Sequence, residues 1–251
     1  MIAGARLARP RSEQARGTLI FVHGVGSTAA IWDAQLRAFG DEWLCAAIEL
    51  RGNGAEKPDP DPSTINREGF VEDVLTVADA LRAERFTLVG CSLGGVVAFE
   101  LMRHVPRRLE RLVLLGTFAR YPNAQAYADA IVRDAYAAGT MRVFGELRAG
   151  QLGLPALRLR ETIEQMACKS VECYVASTQA TWTGDYRDVL AAIDVPVLVA
   201  YGEHDRIAPQ ALSEEIASGI AGARLAMIPG AGHVANADAP QLFNEVVRAF
   251  L

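Results

Sequence analysis

Residues 87–99 read Thr87-Leu-Val-Gly-Cys-Ser92-Leu-Gly-Gly-Val-Val-Ala-Phe99, and the architecture follows from them. The first residues form a short apolar and β-branched run typical of a buried strand, and from Leu93 onward apolar residues continue at helical spacing. Between the two lies the pattern G-x-S-x-G, centred on Ser92. A strand that turns directly into a helix through a serine strains that backbone and lifts the hydroxyl above the sheet edge. The stretch therefore predicts a nucleophilic serine, although the same letters also occur in ordinary turns.

The overall composition restricts the class of protein. The chain has 251 residues, 51% of them apolar, with no Pro/Gly/Ser-rich linker, so we expect one large domain with a substantial core. A net charge of −5 argues against nucleic acid as a partner, and no apolar run approaches the roughly 18 residues of a membrane span. The N-terminus lacks the apolar segment of a signal peptide, and the four cysteines show no C-x-x-C spacing. These features predict a cytoplasmic protein, acting as a monomer or homodimer, without membrane or nucleic-acid partners.

Strands and helices alternate along the chain. This alternation predicts an α/β fold with a mostly parallel sheet, covered by helices on both sides and binding ligands at the carboxyl ends of its strands. We expect strands over 18–22, 43–50, 86–89, 111–116, 195–201 and 224–229, with an edge strand over 2–7. Residues 118–183 contain no strand-like run and are rich in alanine, which predicts an all-helical cap inserted into a core made of residues 1–117 and 184–251.

A serine nucleophile needs a base, and histidine has the appropriate pKa. Three of the four histidines follow predicted strands, which brings His23, His204 and His233 to the ligand-binding edge. His104 lies at a helix end, where the helix dipole favours it. His233 stands in the glycine-rich run Gly230-Ala-Gly-His233, which allows close approach to a neighbour, and it is the predicted base. The alternative is an ordinary loop histidine.

The base needs a carboxylate, and the developing oxyanion needs donors. Asp205, in the turn after a predicted strand, is the expected acid, with Glu203 as the fallback and an Asx-turn role as the alternative. The backbone amide of Leu93, directly after the nucleophile, is one expected donor. The amide of Val25, in the loop after the early strand, is the other, and His23 and Gly24 are expected to support that loop.

The order nucleophile, acid, histidine resembles the α/β-hydrolase family along nearly the whole chain. The matching pieces are His23-Gly24, Arg51-Gly52-x-Gly54, Gly90-x-Ser92-x-Gly94, Gly202-x-x-Asp205 and Gly232-His233. Within the family, the compact cap and the run 194–203 look most like the group of 3-oxoadipate enol-lactonases and small carboxylesterases. The resemblance implies the α/β-hydrolase fold, with the cap after the sixth strand in the family's count and the first two strands shortened. Glu49 and Asn53 depart from the residues common in the family.

The resemblance and the residues together imply acyl transfer from a small to medium carboxylic ester or lactone, through an acyl-enzyme on Ser92. No cofactor is expected, and no spacing of histidines and carboxylates suggests a metal site. Three alternatives stay open: a hydrolase of carbon–carbon bonds in diketones or ring-cleavage products, a cofactor-free perhydrolase, and a non-enzymatic ligand receptor on the same fold. The predicted pocket aromatics are Trp32, Tyr174, Trp182 and Tyr186. Arg120 or Arg142 could bind a charged substrate.

Overall fold

A seven-stranded sheet lies at the centre of the computed structural model, which describes residues 4–10, 15–54, 59–151 and 156–251. The strands are β1 (Ala5–Ala8), β2 (Thr18–Val22), β3 (Leu44–Ile48), β4 (Phe86–Cys91), β5 (Leu109–Leu115), β6 (Val197–Gly202) and β7 (Arg224–Ile228). Their order is β1-β3-β2-β4-β5-β6-β7, and only the β1–β3 pair is antiparallel. The predicted mostly parallel sheet is confirmed. The short strand β1 is its edge, and the first two residues of the predicted edge strand, 2 and 3, lie outside the described residues.

Helices cover both faces of the sheet. They are α1 (Asp33–Phe39), α2 (Arg67–Ala80), α3 (Leu93–His104), α4 (Ala124–Ala138), α5 (Met141–Gln151), α6 (Ala156–Ala167), α7 (Val171–Trp182), α8 (Arg187–Leu190), α9 (Gln210–Gly219), α10 (Ala235–Asp238) and α11 (Pro240–Arg248). Successive residues of β2 point to opposite faces, so Ile20 and Val22 join one core cluster while Leu19 and Phe21 join the other. The first cluster contains α2 and α3, and the second contains α1 and α11.

Helices α4 to α7 form a helical insertion between β5 and β6. Within it, α4 packs on α7 and α5 packs on α6. The insertion follows the fifth strand found here, whereas the family's count predicted the sixth. The reason is that the described residues contain one strand, β1, before β2, whereas the family's count has two strands there. The division of the chain into a core and a cap at residues 118 and 183 stays a prediction.

The turn between β4 and α3 is tight because two glycines allow the helix to cross the strands closely. A Cβ on Gly90 would lie 2.3 Å from the carbonyl oxygen of Gly94, and a Cβ on Gly94 would lie 2.3 Å from that of Val22. The crossing fixes the start of α3 directly above β2 and β4. In the part of the chain that the structure describes, no helix combines the length and the apolar character needed to cross a membrane.

Candidate active site

Ser92 occupies the turn from β4 into α3 in a strained backbone conformation. Its φ is +52° and its ψ is −108°, a region that non-glycine residues rarely adopt. Neighbouring backbone holds it there, because its amide donates to the Leu115 carbonyl at 2.9 Å and its carbonyl accepts from the Thr117 hydroxyl at 2.9 Å. α3 begins at the next residue, Leu93, and the first amides of a helix have no acceptor within that helix. The serine therefore lies beside free donors and the positive end of a helix dipole.

The structure brings Asp205 and His233 together, although 28 residues separate them. Asp205 follows β6 and His233 follows β7, and the Nδ1 atom of His233 lies 2.8 Å from Oδ2 of Asp205. The other oxygen of Asp205 accepts from the amides of Ile207 and Ala208, at 2.8 and 2.9 Å, which fixes the carboxylate. A carboxylate only accepts, so Nδ1 carries the proton and Nε2 of a neutral ring stays available to take another. His233 and Ser92 line the same cavity.

The other candidate acids and bases lie elsewhere. Glu203 accepts from the Gly230 amide at 2.9 Å and is exposed, so it serves the turn before His233 and does not contact the ring. His204 is exposed, with Nε2 3.9 Å from Glu203. His104 is exposed at the end of α3, with Nε2 3.4 Å from Glu100.

His23 is fully buried and bonded through both ring nitrogens. Nδ1 contacts the Gly24 carbonyl at 2.9 Å, and the Leu50 amide donates to Nε2 at 3.2 Å. Burial lowers the pKa of His23 to about 4, so the ring is neutral and Nδ1 donates. A Cβ on Gly24 would lie 3.2 Å from Cβ of Ser92, so the loop runs directly beside the serine. Val25, the expected oxyanion donor, lines the cavity.

The two departures from the family pattern have defined contacts near this loop. Both carboxylate oxygens of Glu49 lie 3.3 Å from the Ala29 amide, and one lies 3.5 Å from Nε2 of His23. Asn53 is buried and donates to the Ser177 hydroxyl at 3.2 Å, which joins the loop after β3 to α7. Both residues therefore help to shape the surroundings of the cavity.

The cavity beside Ser92 encloses about 90 Å³ and is mainly apolar. Of the four predicted aromatics, Tyr174 and Trp182 line it. Trp32 does not, because its ring packs against Phe21 and Phe243 in the second core cluster. Tyr186 does not either, because it stacks on Phe99 and donates to the buried carboxylate of Glu100 at 2.7 Å. The prediction for Trp32 and Tyr186 is therefore corrected, because both rings pack in the core.

Neither of the two predicted arginines lines the cavity. Arg120 lies 3.8 Å from Asp185 and Arg142 lies 2.8 Å from Glu164, with about half of each side chain exposed. Arg148 and Arg158 line the cavity, and the sequence analysis missed both. Arg142 and Arg148 stand six positions apart on α5, which rotates them by roughly 240° around the helix. Helical spacing was the available signal, but using it requires knowing which face of α5 meets the core.

No group of three or more potential metal ligands occurs among histidines, cysteines and carboxylates in the described ranges. The polar groups at the cavity include the serine, the histidine with its carboxylate, the side chains of Ser27, Thr162 and Gln165, and two arginines. This set can provide a nucleophile, a base and hydrogen-bond donors in one place.

Comparison with known proteins places the chain in a family, because the model of one family matches residues 19–246. The chain belongs to the alpha/beta hydrolase family. This membership assigns it to the hydrolases and agrees with the nucleophile turn, the sheet order and the two loops described above. The predicted family resemblance is confirmed.

Individual relatives of this family member cover most of its length. It is 28% identical over 244 residues to 3-oxoadipate enol-lactonase 2 of Acinetobacter baylyi, covering 94% of this chain and 89% of the relative. It is 25% identical over 240 residues to carboxylesterase YbfK of Bacillus subtilis, covering 93% and 80%. Among solved structures, a hydrolase from Pseudomonas aeruginosa superposes with a TM-score of 0.88 at 32% identity, covering 98% of this chain and 92% of that one.

Proposed function

We propose that this protein is a serine hydrolase that cleaves a small to medium carboxylic ester or lactone through an acyl-enzyme on Ser92. The observation that carries the proposal is the 2.8 Å contact between His233 and Asp205, with His233 and Ser92 on the wall of one cavity. The similarity to an enol-lactonase and a carboxylesterase supports the same reaction class.

In the proposed reaction, the Ser92 hydroxyl attacks the carbonyl carbon while Nε2 of His233 takes its proton. Asp205 holds the ring by Nδ1 and stabilises the imidazolium that forms. The tetrahedral intermediate collapses, the carbon–oxygen bond of the ester breaks, and the imidazolium returns the proton to the leaving alkoxide. A water molecule then repeats the sequence and releases the acid, which restores the free serine.

The negative charge on the intermediate needs donors that are already in place. The Leu93 amide begins α3 beside Ser92, and the Val25 amide stands on the loop that Gly24 brings next to the serine. Removing one such donor typically lowers kcat by roughly 100- to 1000-fold in enzymes of this type. We therefore propose these two amides as the oxyanion hole, with His23 and Gly24 supporting the second.

The cavity supports a compact substrate. About 90 Å³ between apolar side chains suits a small acyl group, and Tyr174 and Trp182 offer flat apolar surfaces to it. Arg148 adds positive charge to the same wall, which favours a substrate with a polar or anionic end. Arg158 lines this wall as well, but its charge is balanced by Glu161 and Asp238. The helical insertion, residues 118–183 in the proposed division, is then the cap that closes this cavity.

We also propose a cytosolic location. Cys45, Cys91, Cys168 and Cys173 form no disulfide with one another, and three of them are buried. Free thiols persist in reducing compartments and are oxidised or paired elsewhere. Cell fractionation tests this location directly.

A substrate panel tests the reaction, using nitrophenyl esters, lactones, diketones and esters that carry a carboxylate. We expect ester or lactone turnover that falls by at least about 10⁴-fold in Ser92→Ala, and by roughly 10⁴-fold in Asp205→Asn because the histidine loses its orientation. Glu203→Gln is the matched control: it changes a carboxylate two positions away, so kcat should stay within about twofold.

The same panel separates the alternatives. Ester turnover that survives Ser92→Ala contradicts the proposal, as does a fluorophosphonate that labels the protein at another residue. Turnover confined to diketones indicates a carbon–carbon hydrolase, and peroxide-dependent turnover indicates a perhydrolase. Labelling of Ser92 without turnover of any substrate indicates a ligand receptor.

A further inference from the structure

Lys169 is a buried cation outside the proposed catalytic groups. Only 5% of the residue is exposed, and it lies in the connection between α6 and α7. The chain uses lysine twice, at Lys57 and Lys169, among 25 basic residues. An ammonium group loses favourable hydration on burial, so its hydrogen-bond partners must compensate. The hydrogen bonds of the Lys169 ammonium group therefore indicate the role of this residue.

The ammonium group of Lys169 joins the helical insertion to the loop beside Ser92. It donates to the carbonyl oxygen of Gln165 at 2.7 Å, within the last turn of α6, where carbonyls lack partners inside the helix. It also donates to the carbonyl of Gly26 at 3.2 Å and lies 3.5 Å from that of Ser27. Both carbonyls belong to the loop over residues 24–28, which also contains Val25.

Two further contacts tie the same loop to the insertion. The side-chain oxygen of Gln165 accepts from the Ser27 hydroxyl at 2.9 Å and from the Thr28 amide at 3.3 Å. Gly26 lies against α7, because a Cβ there would be 3.3 Å from the Tyr174 ring. From the opposite side, His23 contacts the Gly24 carbonyl. The loop is thus held from the sheet by His23 and from the insertion by Lys169 and Gln165.

The conformation of Gly26 explains why the loop needs this support. Its φ is +78°, and glycine adopts several backbone conformations at little cost, so the peptide groups on either side of it could rotate. A carbonyl turned toward the serine would repel a negative charge, whereas the neighbouring amide would stabilise it. A cation behind the Gly26 and Ser27 carbonyls keeps those oxygens directed away.

We propose that Lys169 is a positioning residue that fixes the loop 24–28 and thereby directs the Val25 amide at the oxyanion formed on Ser92. This inference rests on the proposed serine mechanism and adds a specific role for the insertion in it. Lysine suits the task because its compact ammonium has three rotatable donors for three carbonyls, whereas a guanidinium is a planar fork.

The surroundings of Lys169 add a dependence on pH. Burial lowers its pKa to about 8, and Glu49 opposes that change. The titratable groups around the ammonium include Glu49 after β3, His23 on the loop and Cys168 beside it. The charge that holds the two loop carbonyls is present at neutral pH and is lost as the pH rises through about 8. We therefore expect kcat to fall above pH 8 as the ammonium loses its proton.

The test compares Lys169→Met and Lys169→Arg with the control Arg160→Met, which removes an exposed cation from α6. A neutral nitrophenyl ester is the substrate, and kcat and KM are measured from pH 6 to 10. Lys169→Met should lower kcat about 10- to 100-fold while KM changes less than about threefold, because the contact acts in the transition state. Lys169→Arg should retain more activity and lose the fall above pH 8, and Arg160→Met should match the wild type.

The outcomes distinguish this inference from the proposed function. If Ser92→Ala abolishes turnover but folded Lys169→Met keeps kcat within about threefold, the positioning role is wrong and the serine mechanism stands. A fall above pH 8 that persists in Lys169→Arg overturns it as well. If Lys169→Met does not fold, ¹³C-lysine NMR of the wild type decides, because the sequence has only two lysines to assign. The pKa of Lys169 should rise when a boronic acid forms a tetrahedral anion on Ser92, and an unchanged pKa contradicts the proposal.

Discussion

At the level of single residues, His23 and His233 show how surroundings determine what a side chain can do. Both follow strands that end at the same edge of the sheet. The order of elements alone therefore cannot tell their roles apart. His23 is fully buried and uses both nitrogens on backbone groups, so no nitrogen stays available for proton transfer. His233 uses one nitrogen on Asp205 and has 17% of its side chain exposed at the cavity. Burial and partner number, which the sequence does not contain, separate the two roles.

His23 makes the protein sensitive to acid. Its pKa is about 4 in the folded protein and 6.5 in a solvated chain. Between pH 4 and pH 6.5, His23 is therefore protonated in the unfolded state and neutral in the folded state. The free energy of unfolding must then fall as the pH decreases from 6.5 to 4, and the loss attributable to His23 should reach roughly 2 to 3 kcal/mol at pH 4.5. His23→Gln removes the titrating group while its amide can still bond to backbone. Urea unfolding at pH 7.5, 5.5 and 4.5 measures the difference.

The control for this prediction is His104→Gln, which changes an exposed histidine at a helix end. It should retain the acid sensitivity of the wild type, because it leaves the buried ring of His23 and its two backbone partners unchanged. If His23→Gln loses as much stability between pH 7.5 and 4.5 as the wild type does, the buried histidine is not the cause.

Residue identity in the pocket was the least predictable part of the site. Ser92, Asp205 and His233 could be proposed from short motifs, because each stands at a fixed position after a strand. The pocket aromatics could not, because Trp32 and Trp182 have the same chemistry and only packing sends one to the core and the other to the cavity. The arginines Arg148 and Arg158 escaped prediction because the buried face of each helix in the insertion depends on its neighbours.

At the level of elements, the sequence predicted the strands and helices well and their ends less well. The run 111–116 predicted a strand that in the structure spans Leu109–Leu115, because Leu109 pairs with Phe86 on the neighbouring strand. Composition indicates that a strand exists, but its register with a partner decides where it begins. The turn around Ser92 was predictable in detail because close crossing of α3 over the sheet requires glycine at defined positions.

Gly94→Ala should test that crossing. The new Cβ would meet the Val22 backbone oxygen at 2.3 Å, and neither main chain can move without displacing α3 from the sheet. We expect a loss of at least about 3 kcal/mol in the free energy of unfolding, or no folded protein. Gly139→Ala is the control, since it has a φ of +71° but open space around the added Cβ, and should cost about 1 to 2 kcal/mol. Equal losses in urea unfolding would contradict the prediction, because Gly94 lies in α3 without a positive φ and only the contact with Val22 gives its substitution the larger cost.

At the level of the whole molecule, the helical insertion contacts both loops that meet at the cavity. Lys169 and Gln165 contact the loop after β2. Arg158 of α6 reaches the other loop, because its Nε lies 3.4 Å from Asp238, which accepts from the Gly232 amide at 3.1 Å. Gly232 directly precedes His233. These contacts join residues 80 to 143 positions apart, so no pattern within one segment could have indicated them.

Arg158→Leu should therefore destabilise the histidine loop, residues 229–238, although Arg158 itself lies on α6. Without the cation, Asp238 keeps its bond to Gly232 but loses its link to α6, and local opening of the loop becomes easier. We expect amide hydrogen exchange to speed up by about fivefold or more in residues 229–238 and in α6, with little change in the central strands. Arg142→Leu is the matched control, because it breaks an exposed ion pair with Glu164 inside the insertion and such pairs contribute roughly 0 to 1 kcal/mol. If both variants leave exchange in residues 229–238 unchanged, the insertion and the histidine loop are energetically independent. A change confined to Arg158→Leu would instead show that the contact of α6 with Asp238 stabilises the loop that carries His233.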